Sequence, residues 1–494
     1  MLFDDKNNIC SRAKDIANLL QKQFLSVFSD PSNTDIPSAI FECPNAQHPF
    51  SDEMLEFTNS DIVEAIEEIK PSAASGPDEI PVILLRNCKD AIATPIHLLW
   101  SHSMATGTVP SFYKFSHVFP LHKKESKALP ENYRPISLTS HIIKIYERII
   151  RKKLVTYLEL NRFICDKQHG FRAGRSCLTQ LLHHFDDVID SLTNNADFDS
   201  IYLDYAKAFD KVDHRLLLKK LHLYGIHPRL VNWIESFLIG RNQAVVVDGQ
   251  LSFLAHIISG VPQGTVLGPI LFLIFINDIE QCISASTIRC FADDTRVSIS
   301  VKTEQDVSKL QEDLYSVISW SERNNMALHK DKFEYICHRY NKNDSLSELP
   351  FTCELFQYSV SNEKLLQPVH QLRDLGVLIS SDLSWSPHIR AIADKARKKA
   401  AWVLSVFYTR TPEVMLTLYK SMVRSLLEYC SPLWNPTKIS DIQELESVQK
   451  AFTARIVGMK DIHYWDRLKK LSLMSLQRRR ERYIIMHMWK ILNL

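Results

Sequence analysis

The stretch that decides the fold reads Thr287-Ile288-Arg289-Cys290-Phe291-Ala292-Asp293-Asp294-Thr295-Arg296-Val297-Ser298-Ile299-Ser300. Two short segments rich in β-branched residues flank the central Ala-Asp-Asp-Thr, which predicts two strands joined by a tight turn. Because Asp tolerates the backbone geometry of such turns, we expect Asp293 and Asp294 at a hairpin tip. An Asp-Asp pair at a turn is more often a solvated surface feature than a site, so its meaning depends on the rest of the chain.

A second acid ends another predicted strand. The segment Ser200-Ile201-Tyr202-Leu203-Asp204-Tyr205 is short, β-branched and aromatic, which is typical of a buried strand, and Asp204 lies at its end. Asp248-Gly249 suits a two-residue turn, so a hairpin is predicted over 244–258. Hydrophobic periodicity predicts helices and a closing strand, in order, at about 216–238, 266–281, 303–325 and 327–338.

Without its insertions, this order is strand, helix, two-stranded hairpin, helix, strand. That is the split βαβ, ferredoxin-like arrangement, and it predicts an α+β fold. The end of the first strand and the tip of the Asp-Asp hairpin then lie on neighbouring strands, so Asp204, Asp293 and Asp294 can converge. The arrangement alone does not indicate a function, because one fold hosts many activities.

Three converging carboxylates repel one another, and divalent cations are the usual way to neutralise them. Oxygen-only ligands favour Mg²⁺ or Mn²⁺. Two such ions about 3.5–4 Å apart can activate an attacking hydroxyl and stabilise a leaving oxygen in phosphoryl transfer. The sequence therefore predicts a two-magnesium centre at Asp204, Asp293 and Asp294, with Mn²⁺ as the possible substitute.

Composition and charge are those of a packed protein with a basic end. The chain has 494 residues, of which 45% are hydrophobic and only 12 are glycine. From Trp385 to Leu494 there are 20 Lys/Arg against 9 Asp/Glu, a net charge of +11, so the first 384 residues carry −9. Such a basic end indicates a polyanion-binding surface, although any single basic run is more often a solvated helix face.

Cysteine usage and hydropathy exclude several classes of protein. The ten cysteines form no C-x-x-C pair and no Cys/His cluster, so neither a zinc site nor a disulfide framework is expected. The longest apolar run, Ile270 to Ile276, is far shorter than the roughly 20 residues that span a bilayer. We therefore expect an intracellular protein without a membrane partner.

Six ordered blocks resemble the reverse transcriptase of LINE-type, non-LTR retrotransposons, particularly the jockey-like elements. The resemblance runs over nearly the whole chain and rests on Gly76-Pro77-Asp78-Glu79-Ile80-Pro81, Asn132-Tyr133-Arg134-Pro135-Ile136-Ser137-Leu138, Gln168-His169-Gly170-Phe171-Arg172, Leu203-Asp204-Tyr205-Ala206-Lys207-Ala208-Phe209-Asp210, Ser259-Gly260-Val261-Pro262-Gln263-Gly264 and Phe291-Ala292-Asp293-Asp294. It implies an RNA-directed DNA polymerase that adds deoxynucleoside triphosphates (dNTPs) to a primer 3′-hydroxyl on an RNA template.

The resemblance also implies individual roles at the metal centre. Asp204 and Asp293 would ligate both metal ions, Asp294 would assist, and the Tyr205 carbonyl would add a ligand. Phe209 matches the bulky residue that excludes a ribose 2′-hydroxyl.

Other implied roles concern the triphosphate and the bases. The triphosphate would be held by two cations of the fingers: Arg134, and either Lys123 or Lys124. Lys332 would protonate pyrophosphate as general acid. At Gln263 the amide can bond template or incoming base, and the small residue at Gly264 permits close backbone approach. Asp210 and Asp213 fall beyond the strand and are predicted to cap or pair with the following helix.

The expected architecture is a right-hand polymerase with fingers, a ferredoxin-like palm and a helical thumb. We predict an N-terminal helical entry segment at 1–70, fingers and palm at 71–379, and a basic helical thumb with the C-terminal region at 380–494. The expected partners are the RNA template, a DNA primer, dNTPs and the element RNA in a ribonucleoprotein, with no obligate protein partner. The implied location is a cytoplasmic ribonucleoprotein and the nucleus.

Two alternatives remain open. The chain could be a maturase or telomerase on the same fold, although nothing in it resembles their additional domains. It could also be a retired element that survives as an RNA-binding protein without catalysis, for which loss of a metal ligand would be the signature. The segment before residue 71 is too short for the endonuclease that usually precedes such polymerases, which predicts a truncated element able to extend a primer but not to nick a target.

Overall fold

A computed structural model describes residues 2–3, 9–28, 46–123, 126–339, 358–361 and 364–492. The chain forms two compact units, each built from several segments. The first comprises Met1–Ala173, Leu203–Thr295 and Glu312–Lys332, and the second comprises Gly174–Tyr202, Arg296–Gln311 and Phe333–Leu494. The functional boundaries expected near residues 70 and 380 stay predictions.

The strands of the described residues are β1 (Leu2–Phe3), β2 (Ile9–Cys10), β3 (Phe115–His122), β4 (Tyr133–Leu138), β5 (Asp197–Leu203), β6 (Asn242–Val247), β7 (Gln250–Leu251), β8 (Ala255–His256), β9 (Thr287–Phe291), β10 (Asp294–Val301), β11 (Glu334–His338), β12 (Ser359–Ser361), β13 (Lys364–Leu365), β14 (Gln371–Asp374) and β15 (Val377–Ser380).

The α-helices are α1 (Ala13–Leu25), α2 (Asn59–Glu67), α3 (Val82–Asn87), α4 (Lys89–Thr106), α5 (His141–Leu160), α6 (Cys177–Thr193), α7 (His214–Leu223), α8 (Pro228–Leu238), α9 (Gly268–Ile276), α10 (Glu304–Arg323), α11 (Ser386–Val406), α12 (Pro412–Leu418), α13 (Ser425–Glu428), α14 (Ser431–Trp434), α15 (Ile439–Thr453), α16 (Tyr464–Lys470) and α17 (Leu476–Leu492). A short π-helix, Tyr419–Arg424, joins α12 to α13.

One four-stranded sheet has the order β11-β5-β10-β9. Numbered along the motif, this is strand four, one, three, two, which is the order of a split βαβ fold. β11 pairs antiparallel with β5, from Glu334 opposite Tyr202 to His338 opposite Phe198. The predicted α+β class and ferredoxin-like palm are therefore confirmed.

A second sheet lies in the first unit, with the order β4-β3-β6-β7 and with β8 also paired to β6. β3 pairs antiparallel with β4 and parallel with β6. Asp248 and Gly249 have φ values of 46° and 76°, as the two-residue hairpin turn between β6 and β7 requires. Helix α1 packs Leu20 and Phe24 against Val118 and Val245, so its apolar face covers this sheet.

Helix boundaries differ from expectation where turn chemistry interrupts the periodicity. The helical region predicted over 216–238 is two helices, α7 and α8, separated by a turn with Gly225 at φ 69° and Pro228 at the start of α8. The helix predicted over 266–281 ends at Ile276 and continues as a 3₁₀ helix, Asn277–Cys282. Asp306 accepts hydrogen bonds from the Thr303 backbone and hydroxyl, which caps the start of α10.

The second unit has its own core, formed where α11, α15 and the π-helix meet. Tyr419 and Trp434 are fully buried there, whereas Trp402 and Trp465 are 46% and 54% exposed. Arg296 forms a buried ion pair with Asp374, the residue that ends β14. Across the described ranges, no helix combines the length and hydrophobicity needed to cross a membrane.

Candidate active site

The Asp-Asp stretch forms the hairpin predicted from the sequence, with β9 and β10 joined by Ala292 and Asp293. The residue with positive φ is Ala292, at 58°, not either aspartate. A residue with a Cβ is strained in this conformation, so the turn needs support from outside itself. Asp294 is the first residue of β10 and is exposed.

Gln168 and Gly170 supply that support. The Gln168 Oε1 atom accepts hydrogen bonds from the backbone N–H of Ala292 at 2.9 Å and of Gly170 at 2.8 Å. A Cβ on Gly170 would lie 2.3 Å from the Ala292 nitrogen, so only glycine lets the two backbones approach this closely. Sequence reasoning gave neither residue a role, although the block that contains them was evident.

Asp204 follows the last residue of β5, and its carboxylate is half-exposed and paired with Lys332. The Lys332 Nζ lies 3.1 Å from Asp204 Oδ2. The backbone is fixed at the same place, because the His329 N–H donates to the Asp204 carbonyl at 2.8 Å. Next to it, the buried Tyr205 pairs with Leu328 in an isolated β-bridge, and its hydroxyl lies 3.2 Å from Ser321 Oγ. Two of the predicted catalytic residues, Asp204 and Lys332, are therefore in contact.

Asp293 lies in the electrostatic field of several predicted site residues. Burial raises the pKa of its carboxyl, and the nearby negative charge of Asp204 raises this pKa further. The positive charges of Arg134 and Lys123 act in the opposite direction and lower the pKa of Asp293. Asp204, Arg134 and Lys123 are thus all close enough to Asp293 for charge to matter, although they come from distant parts of the sequence.

Arg134 and Lys123 belong to one antiparallel hairpin. Arg134 on β4 is opposite Leu121 on β3, and the Lys123 N–H donates to the Asn132 carbonyl at 2.9 Å just beyond β3. Both side chains are exposed. Lys124, the other lysine considered for the triphosphate, lies outside the described residues.

The carboxylates are not assembled as a ready set of metal ligands. In the part of the chain that the structure describes, no three His, Cys, Asp or Glu side chains are grouped so that they could hold a metal ion. The donors at Asp204 and Asp293 are nevertheless all oxygen, the type that Mg²⁺ prefers. The assignment of Asp204, Asp293 and Asp294 as metal ligands stays a prediction.

Phe209 is held by two other aromatic rings. It stacks on Phe272, with ring centroids 4.3 Å apart, and contacts Phe171 edge-on at 6.0 Å. The ring is only partly buried. It is therefore a fixed side chain with an accessible face, which a purely internal core residue would not have.

Gln263 and Gly264 contact the protein itself. The Gln263 side-chain amide donates to both carboxylate oxygens of Asp210, at 3.3 and 3.1 Å. Gly264 has φ 113°, and a Cβ there would lie 2.3 Å from the Ser137 carbonyl oxygen. Their contacts with nucleic acid stay predictions, but the close approach that Gly264 permits here is to β4.

The two acids after the strand have different roles. Asp213 caps α7, as predicted, by accepting from the backbone N–H groups of Arg215 and Leu216. Asp210 is different, because its buried carboxylate bonds to Gln263 and not to the helix. The spacing of Asp210 from α7 could not reveal this partner, which is 53 residues away.

The end of β5 carries Asp204, the tip of the β9–β10 hairpin carries Asp293, and the β3–β4 hairpin carries the cations whose charge acts on Asp293. The family whose sequence model matches residues 121–403 is described as "Reverse transcriptase (RNA-dependent DNA polymerase)". The chain belongs to the reverse transcriptase family. The match covers more than half of the chain and includes Asp204, Asp293 and Lys332.

Named relatives confirm the resemblance to jockey-like reverse transcriptases. The chain is 26% identical to the probable RNA-directed DNA polymerase from transposon X-element of Drosophila melanogaster, over 81% of this chain and 44% of the relative. It is 25% identical to the RNA-directed DNA polymerase from mobile element jockey of Drosophila funebris, over 90% of this chain and 48% of the relative. The chain spans about half the length of these curated relatives.

Proposed function

We propose that this reverse transcriptase chain is an active RNA-directed DNA polymerase of a non-LTR retrotransposon, which adds dNTPs to a primer 3′-hydroxyl on an RNA template. The observation that carries the proposal is the Asp293 turn, whose carboxyl lies in the electrostatic field of the acid Asp204 and of the cations Arg134 and Lys123. Nucleotide addition needs both a centre of negative charge for metal binding and positive charge for a triphosphate.

The residues fit a divalent metal by the chemistry of their donors. Reverse transcriptases generally use divalent metal ions, and two magnesium ions would be held here by Asp204 and Asp293, with Asp294 and the Tyr205 carbonyl in support. Bound there, the metal would supply activation of the 3′-hydroxyl and neutralisation of the leaving oxygen. The raised pKa of Asp293 supports this fit, because a carboxyl destabilised by burial and by Asp204 is relieved by a cation.

The remaining residues would bind and orient the substrates. Arg134 and Lys123, or Lys124, would hold the triphosphate and neutralise charge on departing pyrophosphate. Phe209, fixed by Phe272, would exclude a 2′-hydroxyl by its volume. Lys332 would give a proton to pyrophosphate, and its ion pair with Asp204, a proposed metal ligand, supports this role.

Binding of template and primer is proposed for the basic C-terminal region, 380–494. Its helices carry Lys and Arg on exposed faces, which suits a thumb that grips phosphates. The Lys399 Nζ lies 4.9 Å from the centroid of the exposed Trp402 ring, a cation and an aromatic side by side. Residues 1–70 and 380–494 are proposed as entry segment and thumb, and the element ribonucleoprotein and the nucleus as the places of action.

The test is extension of a DNA primer on an RNA template in Mg²⁺ by the whole chain. Asp293→Asn should lower the rate by at least about 100-fold, because it removes one charged ligand, and Asp294→Asn should lower it less. Asp15→Asn is the matched control, since this half-exposed acid of α1 forms a surface ion pair with Arg12. Equal rates in wild type, Asp293→Asn and Asp294→Asn would refute the site.

The same assay separates the proposal from its alternative. A wild-type chain that binds RNA but never extends a primer would favour a catalytically retired element. The intact acids at Asp204, Asp293 and Asp294 argue against that reading. Similarity to RNA-directed DNA polymerases over most of the chain argues in the same direction.

A further inference from the structure

The segment Ser259–Gly264 is fastened to the turn that follows β5. The Val261 N–H donates to the Phe209 carbonyl at 2.8 Å, and the Gly260 N–H donates to the Val212 carbonyl at 2.8 Å. Between these bonds, the Ser259 hydroxyl donates to the Asp210 carbonyl at 2.9 Å. A Cβ on Gly260 would lie 2.7 Å from the same Asp210 oxygen. The two segments are therefore in backbone contact along their length.

The backbone of Gln263 is also fixed on its other side. Its carbonyl accepts from the Ser137 N–H of β4 at 2.7 Å, and the neighbouring Gly264 touches the Ser137 backbone. With its main chain held in this way, the freedom left to Gln263 is rotation of its side chain. The group that restricts this rotation is the Asp210 carboxylate, which accepts from the amide nitrogen with both oxygens.

We infer that Asp210 is a positioning residue that orients the side-chain amide of Gln263. In this orientation the amide presents its carbonyl oxygen Oε1, and not its NH₂ group, to the incoming nucleotide. An ionised carboxylate only accepts hydrogen bonds, so it selects the nitrogen end of the amide and rejects the oxygen end. The oxygen is then directed away from Asp210 as an acceptor for a hydroxyl or amino group of the substrate. This inference rests on the proposed function.

The surroundings of Asp210 and Gln263 indicate that Asp210 orients the amide and that the contact is not an ordinary solvent-exposed one. Asp210 is buried, and burial raises the pKa of its carboxyl to about 6, so the ion is retained at neutral pH with Gln263 as its neutral donor. Asp210 and Gln263 line a small cavity together with Gln243, Phe24 and Phe28. The burial of Asp210 lowers the local dielectric constant, which strengthens its hydrogen bonds with Gln263.

The experiment measures steady-state dNTP incorporation for Asp210→Asn, Gln263→Glu and the double variant. In Asp210→Asn the new side chain offers both a donor and an acceptor, so the Gln263 amide can rotate by about 180° and present its nitrogen instead. We therefore expect KM for dNTP to rise about tenfold, while kcat stays within about threefold of wild type. Gln263→Glu places two carboxylates together and should be worse. The double variant restores an amide-to-carboxylate bond with an oxygen still facing outward, so it should recover towards the Asp210→Asn value or better.

Asp213→Asn is the matched control, since Asp213 lies three residues away and caps α7. It should lower thermal stability and leave KM unchanged. A double variant no better than Gln263→Glu alone, or an unchanged KM in Asp210→Asn, overturns the inference.

A wild-type chain that fails to extend primers refutes the proposed function, and the inference is then decided by thermal unfolding of the same four proteins. Stability changes that simply add, with no coupling between positions 210 and 263, would overturn the inference in that case.

Discussion

Replacing Gly170 by alanine should strongly reduce the proposed primer extension without touching any predicted catalytic side chain. The added Cβ would lie 2.3 Å from the Ala292 nitrogen and 3.0 Å from the Ala292 Cα, and both atoms are backbone. Ordinary contact begins at 3.4 Å, so one of the two segments must shift by about 1 Å. Asp293 is the next residue, and it moves with Ala292.

The size of the effect follows from that displacement. A reacting group misplaced by about 1 Å costs on the order of 100-fold in rate, so kcat for primer extension should fall by about that factor. Overpacking at a buried position should also lower the free energy of unfolding by about 1–3 kcal/mol. Both quantities are measurable on the same preparation, by primer extension on an RNA template and by denaturant unfolding.

Gly174→Ala separates the two effects. Gly174 has φ 74°, and a Cβ there meets nothing within 4 Å. Alanine should therefore cost about 1 kcal/mol from backbone strain and leave kcat near the wild-type value. If folded Gly170→Ala keeps kcat within about threefold of wild type, the idea that this contact places Asp293 is refuted.

Three further predictions concern Phe209, the ion pair of Lys220 with Asp278, and the carboxyl of Asp210. Phe209→Ala should raise incorporation of ribonucleotides relative to deoxynucleotides by at least about tenfold, and an unchanged ratio would exclude Phe209 as the discriminating ring. Lys220 and Asp278 form a buried ion pair, with 2.6 Å between Nζ and Oδ1, so Lys220→Met should lower the free energy of unfolding in urea by about 3–5 kcal/mol. A loss below about 1 kcal/mol would contradict this. Burial raises the pKa of Asp210 from 3.8 to about 6, so the folded state holds a proton that the unfolded state releases. The free energy of unfolding should therefore fall by up to about 3 kcal/mol as pH rises from about 4 to about 6. Urea midpoints of Asp210→Asn should not show this fall with pH.

The sequence predicted the elements of the palm because their signals are local. Strand composition, the Asp-Gly turn and helical periodicity each depend on neighbouring residues. The division between α7 and α8 was missed because apolar spacing continues across the turn that contains Gly225. The end of α9 at Ile276 was missed for a different reason: the chain passes directly into the 3₁₀ helix Asn277–Cys282, so no Gly or Pro marks the change of helix type.

Predictions about the site were limited by contacts that are remote in sequence. The resemblance implied roles for Lys332 and Arg134, but it did not predict that Lys332 contacts Asp204 or that Arg134 lies near Asp293. The pairing of Asp210 with Gln263 and the support of Ala292 by Gln168 have no local signal. Both depend on hydrogen bonds between segments that are 53 and 124 residues apart.

The glycines of the sequence blocks explain why these blocks occur together. In each case, a Cβ would lie under 3.0 Å from the backbone of another segment: Gly170 against Ala292, Gly260 against Asp210, Gly264 against Ser137, and Gly76 against Thr139 and Ser140. A glycine in a nucleotide-binding motif is usually explained by the approach of a ligand, but here protein backbone fills the space. The blocks are therefore joined to one another directly, and the Asp293 turn depends on residues that never need to touch the substrate.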